Sequence, residues 1–120
     1  IAAVGEGFVE IVEQSREATP EAEEAVRRVV EPLLTEGADQ IVLGCTHYPF
    51  LREVIERVIG EREVAVIDPA PAVARRVEQL LDQFNLRADE GNEAQYRFKT
   101  FASDDYLNRL THKASEIISR

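Results

Sequence analysis

The pattern of apolar residues along this chain predicts an α/β fold, in which helices flank a mostly parallel sheet. Segments with an apolar residue at every third or fourth position alternate with short runs rich in β-branched residues, which is typical of helices alternating with buried strands. Helices between consecutive strands imply right-handed crossovers and parallel pairing. The sole cysteine follows the first such run, at the strand end where α/β proteins place reactive groups.

The first elements are expected to be helical. An apolar patch at residues 8–12 begins a short helix or a loop leading into one. Thr19 and Pro20 start the next helix, because a hydroxyl caps the first free amides and proline suits the first helical position. Gly37 ends this helix, and Pro32 inside it is expected to kink or split it.

Strands are expected at residues 40–43 and 64–67, which are short and rich in β-branched residues. Pro49 begins the helix between them, and Gly60 ends it. A turn at residues 68–71 then leads into a third long helix.

The last third is predicted to hold a loop, a strand and a helix. Residues 85–95 are polar, and residues 96–101 alternate apolar and polar side chains as in a strand with one solvated face. Ser103 caps the final helix. Three strands make a thin sheet, which suggests a portion of a larger one.

The amino-acid composition excludes several classes of function for this chain. The 120 residues suffice for one globular domain, with 44% hydrophobic and 31% charged residues. The formal charge of −9 argues against a nucleic-acid partner, and no apolar run approaches the roughly 20 residues of a membrane helix. One cysteine and two distant histidines exclude an internal disulfide and a structural zinc site. A lone thiol fits a reducing cytoplasm.

The chain begins at Ile1, contains no methionine and shows no secretory signal. We therefore expect an internal or C-terminal piece of a longer protein, with a complete 120-residue domain as the alternative.

The loop after the first strand carries the residues suited to catalysis. Cys45 and His47 lie two positions apart, just before a helix start, and a helix amino terminus or an imidazolium favours a reactive thiolate. The amide of Thr46 could bind a carboxylate. The pattern alone leaves other interpretations open: Cys45 could be a small buried apolar residue, His47 could cap backbone groups, and Glu13 could belong to a polar helix face.

This loop resembles the second catalytic motif of the glutamate racemase family. The resemblance rests on residues 43–49, Leu-Gly-Cys-Thr-His-Tyr-Pro, and extends to residues 31–37 before them. Residues 8–13 are similar to the family segment that supplies a glutamate, here Glu13. Two family features are absent: the first cysteine motif, and a cysteine-proline pair in whose place Gly5-Glu6 stands.

The resemblance implies cofactor-independent interconversion of L- and D-glutamate for peptidoglycan synthesis in the cytoplasm. The family uses two cysteines on opposite faces of the substrate, and Cys45 would exchange a proton with the L-enantiomer. Thr46 and Cys45 would contact the substrate, His47 would assist Cys45 as a proton partner, and Glu13 would orient the site. No metal or cofactor is implied, and a homo-oligomer is left open.

The family fold has two α/β lobes with the active site between them. Residues 1–67 would form a portion of the C-terminal lobe, and residues 68–120 would be a return segment that packs with the missing N-terminal lobe. With one of the two bases, this chain alone should not racemise glutamate.

Several rival functions stay open. An aspartate racemase, a hydantoin racemase or an arylmalonate decarboxylase would share the glycine-cysteine pair, although those proteins generally lack the His47-Tyr48-Pro49 continuation. A non-catalytic lobe that binds a partner or a small carboxylate is another alternative. A hydrolase with a cysteine nucleophile is the third, and it would accumulate an acyl group on Cys45.

Overall fold

The computed structural model describes residues 1–118, and it describes side chains as far as Ser115. Residues 119–120, the end of the expected return segment, lie outside this part. Helices and strands alternate as the α/β prediction requires. They are α1 (Phe8–Glu13), α2 (Pro20–Thr35), β1 (Gln40–Val42), α3 (Arg52–Ile59), β2 (Ala65–Ile67), α4 (Ala70–Gln83) and α5 (Asp104–Ile118).

The chain divides into two compact units, Ile1–Ala70 and Pro71–Arg120. The first unit contains the sheet with α1, α2 and α3, and the second contains nearly all of α4 and the whole of α5. That residues 68–120 pack on another lobe stays a prediction.

The sheet consists of β1 and β2, which pair in parallel as predicted. Ile41 lies opposite Val66, and Val42 lies opposite Ile67. The third predicted strand is wrong, because residues 96–101 form no strand. Alternation alone is insufficient there, since a strand also needs a neighbour to accept its backbone hydrogen bonds, and both described strands lie in the first unit.

The core of the first unit lies where α2 packs on α1 and α3, and where α3 packs on β2. One side of β2 contributes Val66 to this core, whereas Val42 and Ile67 on the opposite face of the sheet are exposed. Leu51, at the start of α3, has no exposed surface. The buried set comprises Phe8, Ile11, Val12, Ala22, Ala25, Val26, Val30, Leu43, Leu51, Val54, Ile55, Val58, Ile59 and Val66.

Helix α2 begins where the sequence predicts. The Thr19 hydroxyl accepts a hydrogen bond from the Ala22 amide at 3.3 Å, and Pro20 is the first helical residue. The helix ends before Gly37, whose φ of 88° favours glycine. The expected split is wrong, because α2 continues through Pro32 to Thr35. Pro32 is exposed in the last turns, so its ring displaces no core residue.

The remaining helix boundaries differ from the predictions by a few residues. A short 3-10 helix at Tyr48–Leu51 contains Pro49 and leads into α3, which Gly60 ends with a φ of 64°. Helix α4 begins inside the predicted turn, where Asp68 accepts a hydrogen bond from the Ala70 amide at 2.9 Å. The Ser103 cap on α5 is confirmed by a hydrogen bond from the Tyr106 amide at 3.3 Å.

Candidate active site

Cys45 lies in the loop that leaves the carboxyl end of β1. The Leu43 amide donates to the Ile67 carbonyl at 2.9 Å, so the loop stays attached to the sheet for one residue beyond β1. The Tyr48 amide then donates to the Cys45 carbonyl at 3.1 Å and closes a tight turn. The half-buried thiol is therefore held at a strand end, as the sequence predicts.

His47 lies between a thiol and a carboxylate. Its Nδ1 is 3.8 Å from the Cys45 Sγ, and its Nε2 is 3.5 Å from a carboxylate oxygen of Glu13. Glu13 is the last residue of α1, so the site joins a helix to the loop after a strand. The structure thus brings together the three side chains that the family resemblance assigns to the catalytic site.

This arrangement favours one form of the neutral imidazole. A carboxylate beside Nε2 attracts the proton to that nitrogen, which leaves Nδ1 as an acceptor. Nδ1 is the nitrogen nearest to the Cys45 sulfur. His47 is thereby oriented to take up the thiol proton and to return it. The side chains of His47 and Glu13 are 29% and 38% exposed, so solvent or a ligand can reach both of them.

Thr46 points away from the core. The residue is exposed, and its hydroxyl makes no hydrogen bond within the described part of the chain. It lies between Cys45 and His47 in sequence, so a ligand at the thiol would meet its hydroxyl or amide.

A cavity of about 700 Å³ borders the same loop. Its walls are residues 1–5, β1 with the residues around it, and aliphatic side chains of α2, and Cys45 is among the lining residues. Asp39 is the only side chain with a formal charge among the residues that line it. Because a dicarboxylate needs donors or cations around its oxygens, this cavity suits an apolar chain better than glutamate.

Arg52 connects two elements that flank the site, and sequence reasoning missed it. Its guanidinium donates to the Val66 carbonyl at 3.1 Å and to Glu56 at 2.8 Å, which ties the start of α3 to β2. Nothing in the sequence distinguishes this arginine from the others on helix surfaces.

Two further searches concern only the described residues. No cluster of three or more histidine, cysteine, aspartate or glutamate side chains there could hold a metal ion. No helix among them is both long enough and apolar enough to cross a membrane.

Comparison with known proteins identifies the family. A model of the Asp/Glu/Hydantoin racemase family matches residues 3–77, which is more than half of the chain. The chain belongs to this family. The match contains β1, the Cys45 loop and α1, so it covers every residue of the candidate site.

Relatives and solved structures within this racemase family cover most of the chain. A glutamate racemase of Desulforudis audaxviator is 57% identical over 68 residues, which are 57% of this chain and 24% of that protein. A glutamate racemase of Pseudomonas putida is 38% identical over 94% of this chain and 43% of its own length. The crystal structure of glutamate racemase isoform RacE1 from Bacillus anthracis superposes with a TM-score of 0.80 at 28% identity, covering 95% of this chain and 42% of that one. The chain therefore spans less than half the length of these relatives.

Proposed function

We propose that this chain is the part of a glutamate racemase that carries the second catalytic cysteine, and that the complete enzyme interconverts L- and D-glutamate. The observation that carries the proposal is the Cys45–His47–Glu13 arrangement at a strand end, with distances of 3.8 and 3.5 Å. Relatives named glutamate racemase match the chain at 57% and 38% identity. We further propose cytoplasmic D-glutamate supply for peptidoglycan as its role.

In the proposed reaction, the Cys45 thiolate removes the α-proton of L-glutamate. The electron pair of the broken carbon–hydrogen bond stays on the α-carbon, and a thiol on the opposite face, outside this chain, donates a proton to complete the inversion. The reverse reaction uses the same groups in opposite roles. Two bases suffice because each transfers one proton, and neither the substrate nor a side chain has to turn over within the site.

The other site residues have supporting roles in this scheme. His47 holds or returns the proton of Cys45, since its Nδ1 is the ring nitrogen nearest to the sulfur. Glu13 orients the imidazole and stabilises it when it carries the extra proton. Thr46 binds the substrate through its exposed hydroxyl or its amide.

We also propose that residues 1–67 belong to one lobe and that residues 68–120 pack with the lobe supplied by the rest of the protein. Two sets of exposed apolar residues support this. In the first unit, Val42 and Ile67 leave one sheet face open, although parallel sheets are normally covered on both faces. In the second unit, α4 exposes Val73 and Val77 and buries no residue.

The test uses the complete protein that contains this chain, incubated with L-glutamate in D₂O. We expect the α-proton signal to disappear in NMR spectra as D-glutamate accumulates, with no adduct on Cys45 by mass spectrometry. Cys45→Ala should abolish turnover, because a general base contributes about 10²- to 10⁴-fold and two-base inversion has no substitute for it. Cys45→Ser should retain only a small fraction.

Three outcomes would contradict the proposal. Normal turnover of Cys45→Ala would remove the thiol from the mechanism. Faster exchange with aspartate or a hydantoin than with glutamate would indicate another activity of the family. An acyl group on Cys45 would indicate a hydrolase.

A further inference from the structure

Strand β1 has one edge that is paired and one that is not. The Leu43 amide, directly after β1, donates to the Ile67 carbonyl of β2 at 2.9 Å. Successive residues of a strand direct their backbone groups to alternate sides, so Gln40 and Val42 direct theirs to the edge away from β2. The described part of the chain contains no third strand for that edge, and both residues are exposed.

The cavity of about 700 Å³ borders this unpaired edge. All three residues of β1 line it, and residues 1–5 line it as well. Within the described part of the chain, no backbone hydrogen bond joins residues 1–5 to β1. Residues 1–5 and β1 are therefore two walls of one cavity and not neighbouring strands.

The volume of the cavity fits a short strand. A strand rises about 3.3 Å per residue, lies about 4.8 Å from its neighbour and occupies a layer about 10 Å thick. Each residue of a strand thus takes up roughly 160 Å³. A cavity of 700 Å³ accordingly has room for about four residues of a strand, and β1 itself has three.

The chemistry of the walls also fits a strand. Aliphatic side chains of α2 line the cavity, and Asp39 is the only lining side chain with a formal charge. Strands that are buried on both faces are rich in valine, isoleucine and leucine, which suit such walls. A small apolar molecule could fill the space, but it could not satisfy the backbone groups of Gln40 and Val42. A strand does both.

The order of the elements is consistent with a strand at this place. In one common doubly wound order the first strand is central, with the second strand on one side of it and the third on the other. Residues 1–5 and β1 are separated by α1 and α2, as the second and third strands of such a sheet are separated by a helical connection. The chain spans 43% of the Pseudomonas putida relative, so more than half of a protein of that length lies outside it and can supply the central strand.

We propose that this cavity, the strand slot, receives a β-strand from the part of the complete protein outside this chain, which runs parallel to β1 and pairs with Gln40 and Val42. A second copy of the chain fits the slot less well. Its β1 is already bonded to β2 along one edge, whereas the slot lies between two walls and needs a strand with both edges free. The proposal does not depend on which reaction the protein catalyses.

The test measures amide hydrogen exchange and NOEs in the complete protein by NMR. The amides of Gln40 and Val42 report on the slot. The Leu43 amide is the protected control, because it is bonded to β2. The Thr46 amide is the unprotected control, because Thr46 is exposed and its amide makes no hydrogen bond within the described residues.

We expect the Gln40 and Val42 amides to exchange about 100-fold or more slowly than the Thr46 amide, because paired strands in a core open rarely. Their rates should not change on dilution, and the Val42 amide should show an NOE to the α-proton of a residue outside this chain. Exchange as fast as that of Thr46 would overturn the proposal.

Two further outcomes would also overturn it. NOEs from Val42 to residues 1–5 would show that those residues pair with β1 directly. Protection that is lost on dilution would show that a second copy occupies the slot. None of these measurements requires turnover of glutamate, so the strand slot and the proposed function can fail independently.

Discussion

At the scale of single residues, the imidazole of His47 connects the other two candidate catalytic side chains. Its two nitrogens face different partners, Cys45 at 3.8 Å and Glu13 at 3.5 Å. A group held in this way can accept a proton on one side while a carboxylate stabilises the resulting charge on the other. In the proposed scheme the Cys45 sulfur is therefore the base. His47 holds or returns its proton, and Glu13 orients the imidazole.

His47→Asn should reduce racemisation by the complete enzyme less than Cys45→Ala does, and it should affect one direction more than the other. The reason is that His47 Nδ1 lies beside the Cys45 sulfur, and in the proposed scheme Cys45 acts on one face of the substrate. The measurement is kcat for L- and D-glutamate separately. Equal and negligible effects in both directions would exclude an assisting role.

Glu13→Gln tests the contact between the Glu13 carboxylate and Nε2 of His47. The amide keeps the size of the carboxylate but loses its charge, so it should weaken the hold on His47 and lower kcat by a smaller factor than His47→Asn. Glu10→Gln, in the same helix and exposed, is the matched control and should leave kcat unchanged. A larger loss in Glu10→Gln would contradict the role of Glu13.

At the scale of elements, helix boundaries decide which groups reach the site. Helix α1 has only six residues and ends at Glu13, so its length fixes where the carboxylate stands. The 3-10 helix after His47 does the same for the cysteine loop, because its first amide closes the turn on Cys45. Helix α2 bears no site residue and supplies the core against which α1 and α3 pack.

Thr19→Ala should lower the free energy of unfolding by about 1 kcal/mol, because the start of α2 loses its capping hydroxyl. Thr35→Ala is the matched control at the other end of the helix, where the hydroxyl only donates to the Glu31 carbonyl. Chemical denaturation followed by circular dichroism measures both. A loss in Thr35→Ala as large as that in Thr19→Ala would contradict the cap assignment.

The same cap predicts a dependence on pH. The pKa of Glu21 is lowered by a hydrogen bond from its own backbone amide and, next, by the nearby Thr19 hydroxyl. A lowered pKa in the folded state means that this contribution is fully present above the ordinary glutamate pKa and is lost as the pH falls through the folded value. Thr19→Ala should raise the pKa of Glu21 in an NMR titration, and an unchanged titration would contradict this cause.

At the scale of the whole molecule, the chain spans 24% and 43% of two curated relatives. Its first unit has one open sheet face, and its second unit has a helix with exposed apolar residues. Contiguous apolar surface of this kind is typical of faces that another part of a protein covers.

The proposed scheme needs two bases, and this chain would supply one of them. The 120-residue chain by itself should therefore form no D-glutamate from L-glutamate. At most it should exchange the α-proton of L-glutamate slowly with D₂O. Chiral chromatography of the reaction mixture measures the first expectation, and NMR measures the second. Formation of D-glutamate by the chain alone, absent from the Cys45→Ala variant, would contradict the two-base scheme.

The sequence by itself determined the parts of this protein that depend on local chemistry. Thr19 caps α2, Gly60 ends α3, and the run before Cys45 forms a strand, because each depends on a few neighbouring residues. The motif around Cys45 also predicted the family, which the family model confirms. The errors share one cause, which is that residues 96–101 and Pro32 were judged by local pattern, whereas strand pairing and helix continuity depend on what lies beside them.

Only the tertiary structure decided which side chains meet. Glu13 and His47 belong to different elements, and their 3.5 Å separation results from the packing of α1 on the loop after β1. The placement of residues 1–5 and β1 along one cavity is of the same kind. Spacing along a chain specifies neighbours within an element, but contacts between elements follow from the burial of their apolar faces in one shared core, and three-dimensional packing alone determines them.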